Sequence, residues 1–334
     1  MSFVSMYSEL TGWVPKLPVT LAKTIINRAW RDVRRKNLWG FQLGEANWVS
    51  PALINAGTVT TTTGANTVVF DATATIALSP LLLSGPFPTN LLQRQFRVGI
   101  STIYNLTAGT INGSGFLVLT LDRPYTDASL SGQSYSVLQC YYPAPVKDFL
   151  MWINVRDITN FNDLVLEKTR YEIDLRDPQR TIFYIPTHVV AYQTDPNPAS
   201  PTFQYPMFEL WGQPQSILPY QLYFIRRGAE LVNDSDVLPP AVGEDCVLEL
   251  GKFYAYQWAE GNKGDMPRNV GSDFKFLMGE CMANYKRLFA EYRKDDLEFV
   301  NNWFDTIRHR SWYMANLNLY YSAIGQIASP GAAW

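Results

Sequence analysis

The stretch Phe274-Lys-Phe-Leu277-Met278-Gly-Glu-Cys281-Met-Ala-Asn-Tyr285-Lys-Arg-Leu288-Phe289-Ala-Glu-Tyr292 decides the reading of the fold. Its apolar residues Phe274, Leu277, Met278, Cys281, Tyr285, Leu288, Phe289 and Tyr292 recur at helical spacing and line one stripe. Lys275, Glu280, Lys286, Glu291 and Arg293 occupy the other face. Ser272 stands where an N-cap belongs. Such a stripe belongs to a core or a bundle seam, so the spacing predicts a long packed helix here. Just upstream, Val247, Leu250, Tyr254 and Trp258 repeat the pattern.

Working outward, a third helical stretch lies near the N-terminus. Leu21, Ile25, Ile26, Ala29 and Val33 form its stripe, with Thr20 as N-cap and Gly40 beyond its end. Its other face carries Lys23, Arg28, Arg31, Arg34, Arg35 and Lys36. Such a run is either a solvated face or a contact with acidic or phosphate groups.

Between about residues 50 and 142 the character changes. Charges become scarce, and short alternating runs (Thr67 to Asp71, Phe96 to Leu106, Phe116 to Leu121, Tyr135 to Tyr141) are separated by turn signals such as Asn112-Gly113-Ser114-Gly115. This predicts an antiparallel β domain inserted into a helical body. Lys147 to Asp157 reads as an apolar segment around Phe149 to Ile153 and is ambiguous between helix and strand. Thr169-Arg-Tyr-Glu172 matches a capping box, predicting a short helix that ends near Asp177-Pro178. Thr187 to Gln193, Met207 to Trp211 and Gln221 to Arg226 read as strands of a small sheet or long hairpins.

The expected architecture is therefore α+β. A helical bundle body with a small sheet (1–49 and 143–310) carries an inserted antiparallel β domain (50–142) and an extended aromatic C-terminal tail (311–334). That tail holds Trp312, Tyr313, Tyr320, Tyr321 and Trp334 and has no charged side chain. Disordered segments are usually poor in aromatics and rich in charge, so this one is expected to pack, on its own domain or on a partner.

Composition narrows the function. Charged residues are 17% of 334 and aromatic residues 14%, a balance expected of an interface-rich surface or of a large aromatic core. The net charge of −2 gives no general pull toward nucleic acid or an anionic membrane. Met1 to Pro18 lacks the pattern of a signal peptide, and no apolar run is long enough to span a membrane. Cys140, Cys246 and Cys281 are too widely spaced for a disulfide framework or a zinc site. They fit a reducing cytoplasm. The two histidines are His188, in a strand-like run, and His309, between Arg308 and Arg310. Neither has metal-ligand spacing, and no nucleophile elbow or phosphate loop occurs. A carboxylate pair of the glycosidase kind, whose members can be distant in the chain, is not excluded by spacing. The expectation is a non-enzymatic protein with no catalytic residue, metal or cofactor.

Several stretches, in order, resemble tailed-phage head-to-tail adaptor (neck or connector) proteins. They are Ile26-Asn-Arg-Ala-Trp-Arg-Asp-Val-Arg34, Arg94-Gln-Phe-Arg-Val98, Leu121-Asp-Arg-Pro-Tyr125 and Gln139-Cys-Tyr-Tyr-Pro-Ala-Pro145. Arg176-Asp-Pro-Gln-Arg180, Phe208-Glu-Leu-Trp-Gly-Gln-Pro214, Phe253-Tyr-Ala-Tyr-Gln-Trp-Ala-Glu260 and the stripe helix follow. The resemblance implies a virion subunit made in the host cytoplasm. It would assemble as a homo-oligomeric ring, typically a dodecamer, between the portal protein and the tail or nozzle proteins. DNA would pass through the ring without sequence-specific binding, and no membrane would be involved. Trp312, Tyr313, Tyr320, Tyr321, Trp334, Arg28, Arg31, Arg34 and Arg35 are the expected contacts to portal or neighbour. A tail or neck completion protein, and a glycan-binding host-attachment module, are the alternatives. The absence of Trp from residues 50–142 counts against the second.

Overall fold

The computed structural model describes residues 1–83, 94–100, 102–167, 169–196, 198, 200, 202–262 and 273–306. The chain divides into two compact units. One is Met1–Gly44 with the described residues from Ile225 on; the other is Glu45–Phe224.

The first unit opens with α1 (Phe3–Trp13) and α2 (Val19–Arg35). Thr20 does not cap α2: the helix starts one residue earlier, behind Pro18, with no side-chain cap. The stripe of α2 buries Ala22, Ile25, Ile26, Ala29 and Val33, joined by Trp30.

β1 (Leu43–Ser50) leads into the second unit. It is followed by β2 (Val59–Thr61), β3 (Thr67–Phe70), α3 (Ala72–Leu83), β4 (Gln95–Val98), β5 (Tyr104–Ile111), β6 (Leu117–Leu121), β7 (Leu130–Gln133) and β8 (Tyr135–Leu138). β2 to β8 form one antiparallel sheet in the order β7-β2-β3-β6-β5-β4-β8. Its edge strands β7 and β8 are separated only by Ser134 in the chain. A sheet whose two edges are joined by one residue must curl, and it forms a half-barrel. Val68, Phe70, Phe96, Tyr104, Leu117 and Val137 fill its interior, so it is a packed core and not a pore. The sequence reading has no counterpart for α3, which starts where the Asp71 carboxylate accepts the Ala74 N–H at 2.7 Å.

The chain continues through β9 (Tyr141–Pro143), β10 (Phe149–Asp157), β11 (Asn162–Asp163), β12 (Val165–Glu167), α4 (Arg170–Arg176), β13 (His188–Thr194), β14 (Pro206–Trp211) and β15 (Leu218–Arg226). These strands build two further sheets, β1-β15-β10-β11 and β12-β13-β14-β9, in which β12–β13 is a parallel pair. Trp48, Tyr142, Trp152, Phe208 and Tyr220 form the aromatic core between them. In the first unit, α5 (Glu244–Gly261) and α6 (Phe274–Thr306) complete the helices. The stripe of α6 packs into the helical core, with Phe289 edge-on to Trp39 at 5.6 Å.

The expectation of a helical-bundle body is overturned. Among the described residues six α-helices accompany three mostly antiparallel sheets, and the chain is a β-rich mixture of helix and sheet. As far as Arg226 the expected body segment 143–310 is built of strands and loops, with α4 its one helix among the described residues. The physical reason lies in Lys147 to Asp157: β10 is buried along most of both faces, so the alternation that marks a half-exposed strand is missing. The short helix ends at Arg176, near the expected place, but its Thr169 side chain makes no capping bond.

Candidate functional site

Period-two alternation divides the β12-β13-β14-β9 sheet into two faces. Val189, Phe208, Leu210 and Tyr142 point into the aromatic core. The register pairs Val190 with Glu209 and Glu209 with Tyr141, which puts these three on the opposite face with Tyr192 and Met207. Glu209 is thus a mid-strand carboxylate, 0% exposed. Burial of a carboxylate demands a partner.

The partners come from α4 and the loop after it. Arg170 and Asp174 lie one turn apart on α4, and Arg170 Nε is 3.3 Å from Glu209 Oε2. Beyond the helix, the buried Asp177 carboxylate accepts the Thr181 N–H at 2.8 Å and the Ile182 N–H at 2.9 Å, closing a tight loop. The loop holds Arg180 at φ 53, in the left-handed region, and turns its guanidinium onto Glu209. Arg180 donates through Nε and Nη2 to the two Glu209 oxygens, through Nη2 to Asp174 Oδ1 at 2.5 Å, and through Nη1 to the Asp177 carbonyl at 2.5 Å. Burial works against the Arg180 charge, but the bonds and charge of Glu209, then of Asp174, raise its pKa. The cation is locked on.

The half-barrel grips the same loop. Arg97, on β4, donates to the Gln179 carbonyl at 3.2 Å and lies over the Phe183 ring at 4.8 Å. Gln95, two residues back, accepts the Cys140 N–H at 2.8 Å. The stretches around Arg94, Gln139, Arg176 and Phe208, far apart in the chain, therefore meet in one network.

Beside it opens a cleft of about 680 Å³, lined by Ile100, Asn105, Arg123, Tyr141, Arg170, Tyr192, Gln193 and Met207 among others. Tyr141 and Tyr192 stack at 4.5 Å with planes 14° apart. The Arg170 guanidinium sits 4.4 Å from the Tyr192 centroid and donates to Tyr141 Oη at 2.9 Å. Arg123 is held by Asp122 and by the Ile103 carbonyl.

This arrangement offers binding groups and no activated nucleophile. Burial, then the charge of Glu209, pushes the Cys140 thiol far up, and burial first raises Cys246 and Cys281 to about 12. His188 is tied to Thr187 Oγ1 at 2.7 Å and packs edge-on to Trp211. Among the described residues no group of His, Cys, Asp and Glu could hold a metal ion.

Of the residues expected at a partner surface, the four arginines belong to the helical unit. On α2, the Arg28 guanidinium covers the Tyr254 ring at 4.1 Å, and Arg31 pairs with Glu230 at 2.5 Å. Arg34 is buried and donates to the carbonyls of Gly228 and Ala229 at 2.6 and 2.8 Å. Arg35 is exposed. Trp312, Tyr313, Tyr320, Tyr321 and Trp334 lie outside the described residues, as does His309. The network around Glu209 was missed as a site. Its signal was a single carboxylate within the apolar run Met207-Phe-Glu-Leu-Trp211, since acidic residues are almost never fully buried unless paired.

No protein-family model matches the chain, and no curated protein is significantly similar to it.

Proposed function

We propose that this chain is a structural subunit of a tailed-phage virion, an adaptor that assembles as a ring between portal and tail and surrounds part of the DNA channel. The observation that carries this reading is the division of labour among the side chains of the β unit. The charged groups around Glu209 are spent on one another, while large apolar side chains stand in solvent on tightly held turns. Phe161 is the clearest case. It is 77% exposed and held at φ 56, a left-handed conformation uncommon for a bulky residue. The fully buried Asp157 carboxylate fixes its turn by accepting the Thr159 and Asn160 N–H groups at 2.8 and 3.0 Å. Ile158, on the same turn, is exposed as well.

A rigid apolar tip in water costs free energy unless a partner covers it. A ring subunit makes a different contact on each side, so such tips suit its surface. The ordered stretches that resemble the adaptor family point the same way. So does the near-neutral charge, which lets DNA slide without being gripped. No helix among the described residues is long and apolar enough to cross a membrane.

Electron microscopy of the chain, alone and mixed with the portal protein of the same genome, tests the reading. A ring capping one end of the portal is expected. A chain that stays monomeric and ignores the portal would overturn it.

A further inference from the structure

We infer that the cleft of the β unit receives the aromatic segment 311–334 of a neighbouring copy of the chain; the inference rests on the ring reading above. The first argument is electrostatic. Arg180 is neutralised by Glu209 and Asp174, Arg170 shares the same carboxylates, and Arg123 is paired with Asp122. Asp195, the carboxylate in the lining, is buried and accepts from Thr202 Oγ1 at 2.8 Å. With its arginines and this carboxylate answered from within, the cleft offers little to attract an anion or a charged peptide. An uncharged occupant fits it best.

The second argument is the surface on offer. Ile100 stands at the rim, 77% exposed, on a turn that Gly99 makes at φ 55. Inside are the stacked Tyr141 and Tyr192, and the exposed Gln193 supplies an amide donor and acceptor. Aromatic faces with an amide beside them recognise an extended chain that brings aromatic and apolar side chains and a backbone to hydrogen-bond.

Residues 311–334 have this composition. They carry Trp312, Tyr313, Tyr320, Tyr321 and Trp334, the amides Asn316, Asn318 and Gln326, and no charge. The chain continues for 28 residues beyond the last described turn of α6 at Thr306. Fully extended, that length spans roughly 90 Å, enough to cross to an adjacent subunit. Head-to-tail insertion of one copy into the next is the kind of contact that closes a ring.

The test uses the full chain with a photo-crosslinking phenylalanine analogue in place of Ile100. Light copies and isotopically heavy copies are mixed, with and without portal, irradiated, and mapped by mass spectrometry. Crosslinks joining light to heavy copies within 311–334 are expected. The paired substitutions Tyr320→Asp and Tyr321→Asp should lower their yield at least about fivefold, in proportion to an affinity lost by charging an apolar contact. The same analogue in place of the exposed Val232 of the helical unit should give no such link. Rings that form on the portal with Ile100 linked to no copy, to its own chain, or to the portal would overturn the inference and leave the adaptor reading standing. Light-to-heavy links in a chain that never rings the portal would support the inference and overturn that reading. Neither rings nor links would overturn both.

Discussion

Glu209→Gln should unlock the β unit while leaving its shape nearly unchanged. Glutamine matches glutamate in volume but replaces one acceptor oxygen with an NH2 group. In the native protein the two Glu209 oxygens receive Arg180 Nε and Nη2, the latter at 3.2 Å, and Arg170 Nε lies 3.3 Å away. After the exchange a donor faces donors, and Arg180, 2% exposed, loses its buried counter-charge. Breaking a buried pair from one side costs about 3–5 kcal/mol. Arg180 keeps the half-exposed Asp174 and the Asp177 carbonyl, so the lower end applies, about 3 kcal/mol. A domain has only about 5–15 kcal/mol in total, so the unit still folds but melts about 6–12 °C lower. Calorimetry of the full chain, following the transition of the β unit, reads this directly. The double variant Arg180→Met with Glu209→Met separates charge from shape, because removing both partners of a buried pair is often close to neutral. It should recover most of the loss. A Glu209→Gln melting point within about 1 °C of the parent, or a double variant as unstable as the single one, would refute the reasoning.

Three further outcomes are expected. Gly57 has φ 85, and a Cβ there would lie 2.5 Å from the Ala74 backbone nitrogen at the start of α3, so Gly57→Ala should cost about 2–4 kcal/mol, read as a lower urea midpoint. An unchanged midpoint would mean that this end of α3 is free to move. A Cβ on Gly243 would run into the Tyr292 ring, so Gly243→Ala should destabilise the helical unit and Tyr292→Ala should relieve part of that loss in the double variant; strict additivity would refute the clash. Burial, helped by Arg176, holds the His188 pKa below its ordinary 6.5. The unfolded chain therefore binds the proton more readily, so stability is full above 6.5 and falls as pH drops toward the folded value, by at most about 1.4 kcal/mol per pH unit. Urea midpoints from about pH 7.5 to 5.5 should slope down in the parent and flatten in His188→Gln; equal slopes would sink the assignment.

How legible the fold was depended on how each element meets solvent. α2 and α6 present one apolar face to the core and one charged face outward, so helical spacing marked them clearly. The half-exposed strands β3, β5 and β6 alternate and were equally plain. β10 is covered on most of both faces, and its apolar run Phe149 to Ile153 carries no period to read. α3, Ala-Thr-Ala-Thr-Ile-Ala-Leu-Ser-Pro-Leu-Leu-Leu, has neither a charged face nor a helical stripe and contains Pro80, so propensity and pattern both argued against the helix that forms. The cleft was less legible still. Gln95, Tyr141, Arg170 and Tyr192 come from four separate elements, and only the register of β9 on β14 and β14 on β13 places the tyrosines on one face.

The stretches that carried the family resemblance gain a physical meaning from this network. Asp177 closes a loop with its side chain, Arg180 occupies a backbone region that few residues tolerate, Glu209 answers a charge inside a sheet, and Gln95 satisfies a buried N–H. Each of these positions combines a side-chain requirement with a backbone one, so few substitutions meet both. A surface made for partners need only be apolar and well held, as Phe161 is, and many sequences meet that demand. It follows that the recognisable motifs of such a protein are first of all internal staples, even where residues of the same stretches, Arg123 and Tyr141, also line the cleft. Substituting Glu209 should therefore lower the melting point of the free chain, whereas on the proposed ring reading substituting Phe161 should weaken assembly and leave that melting point where it was.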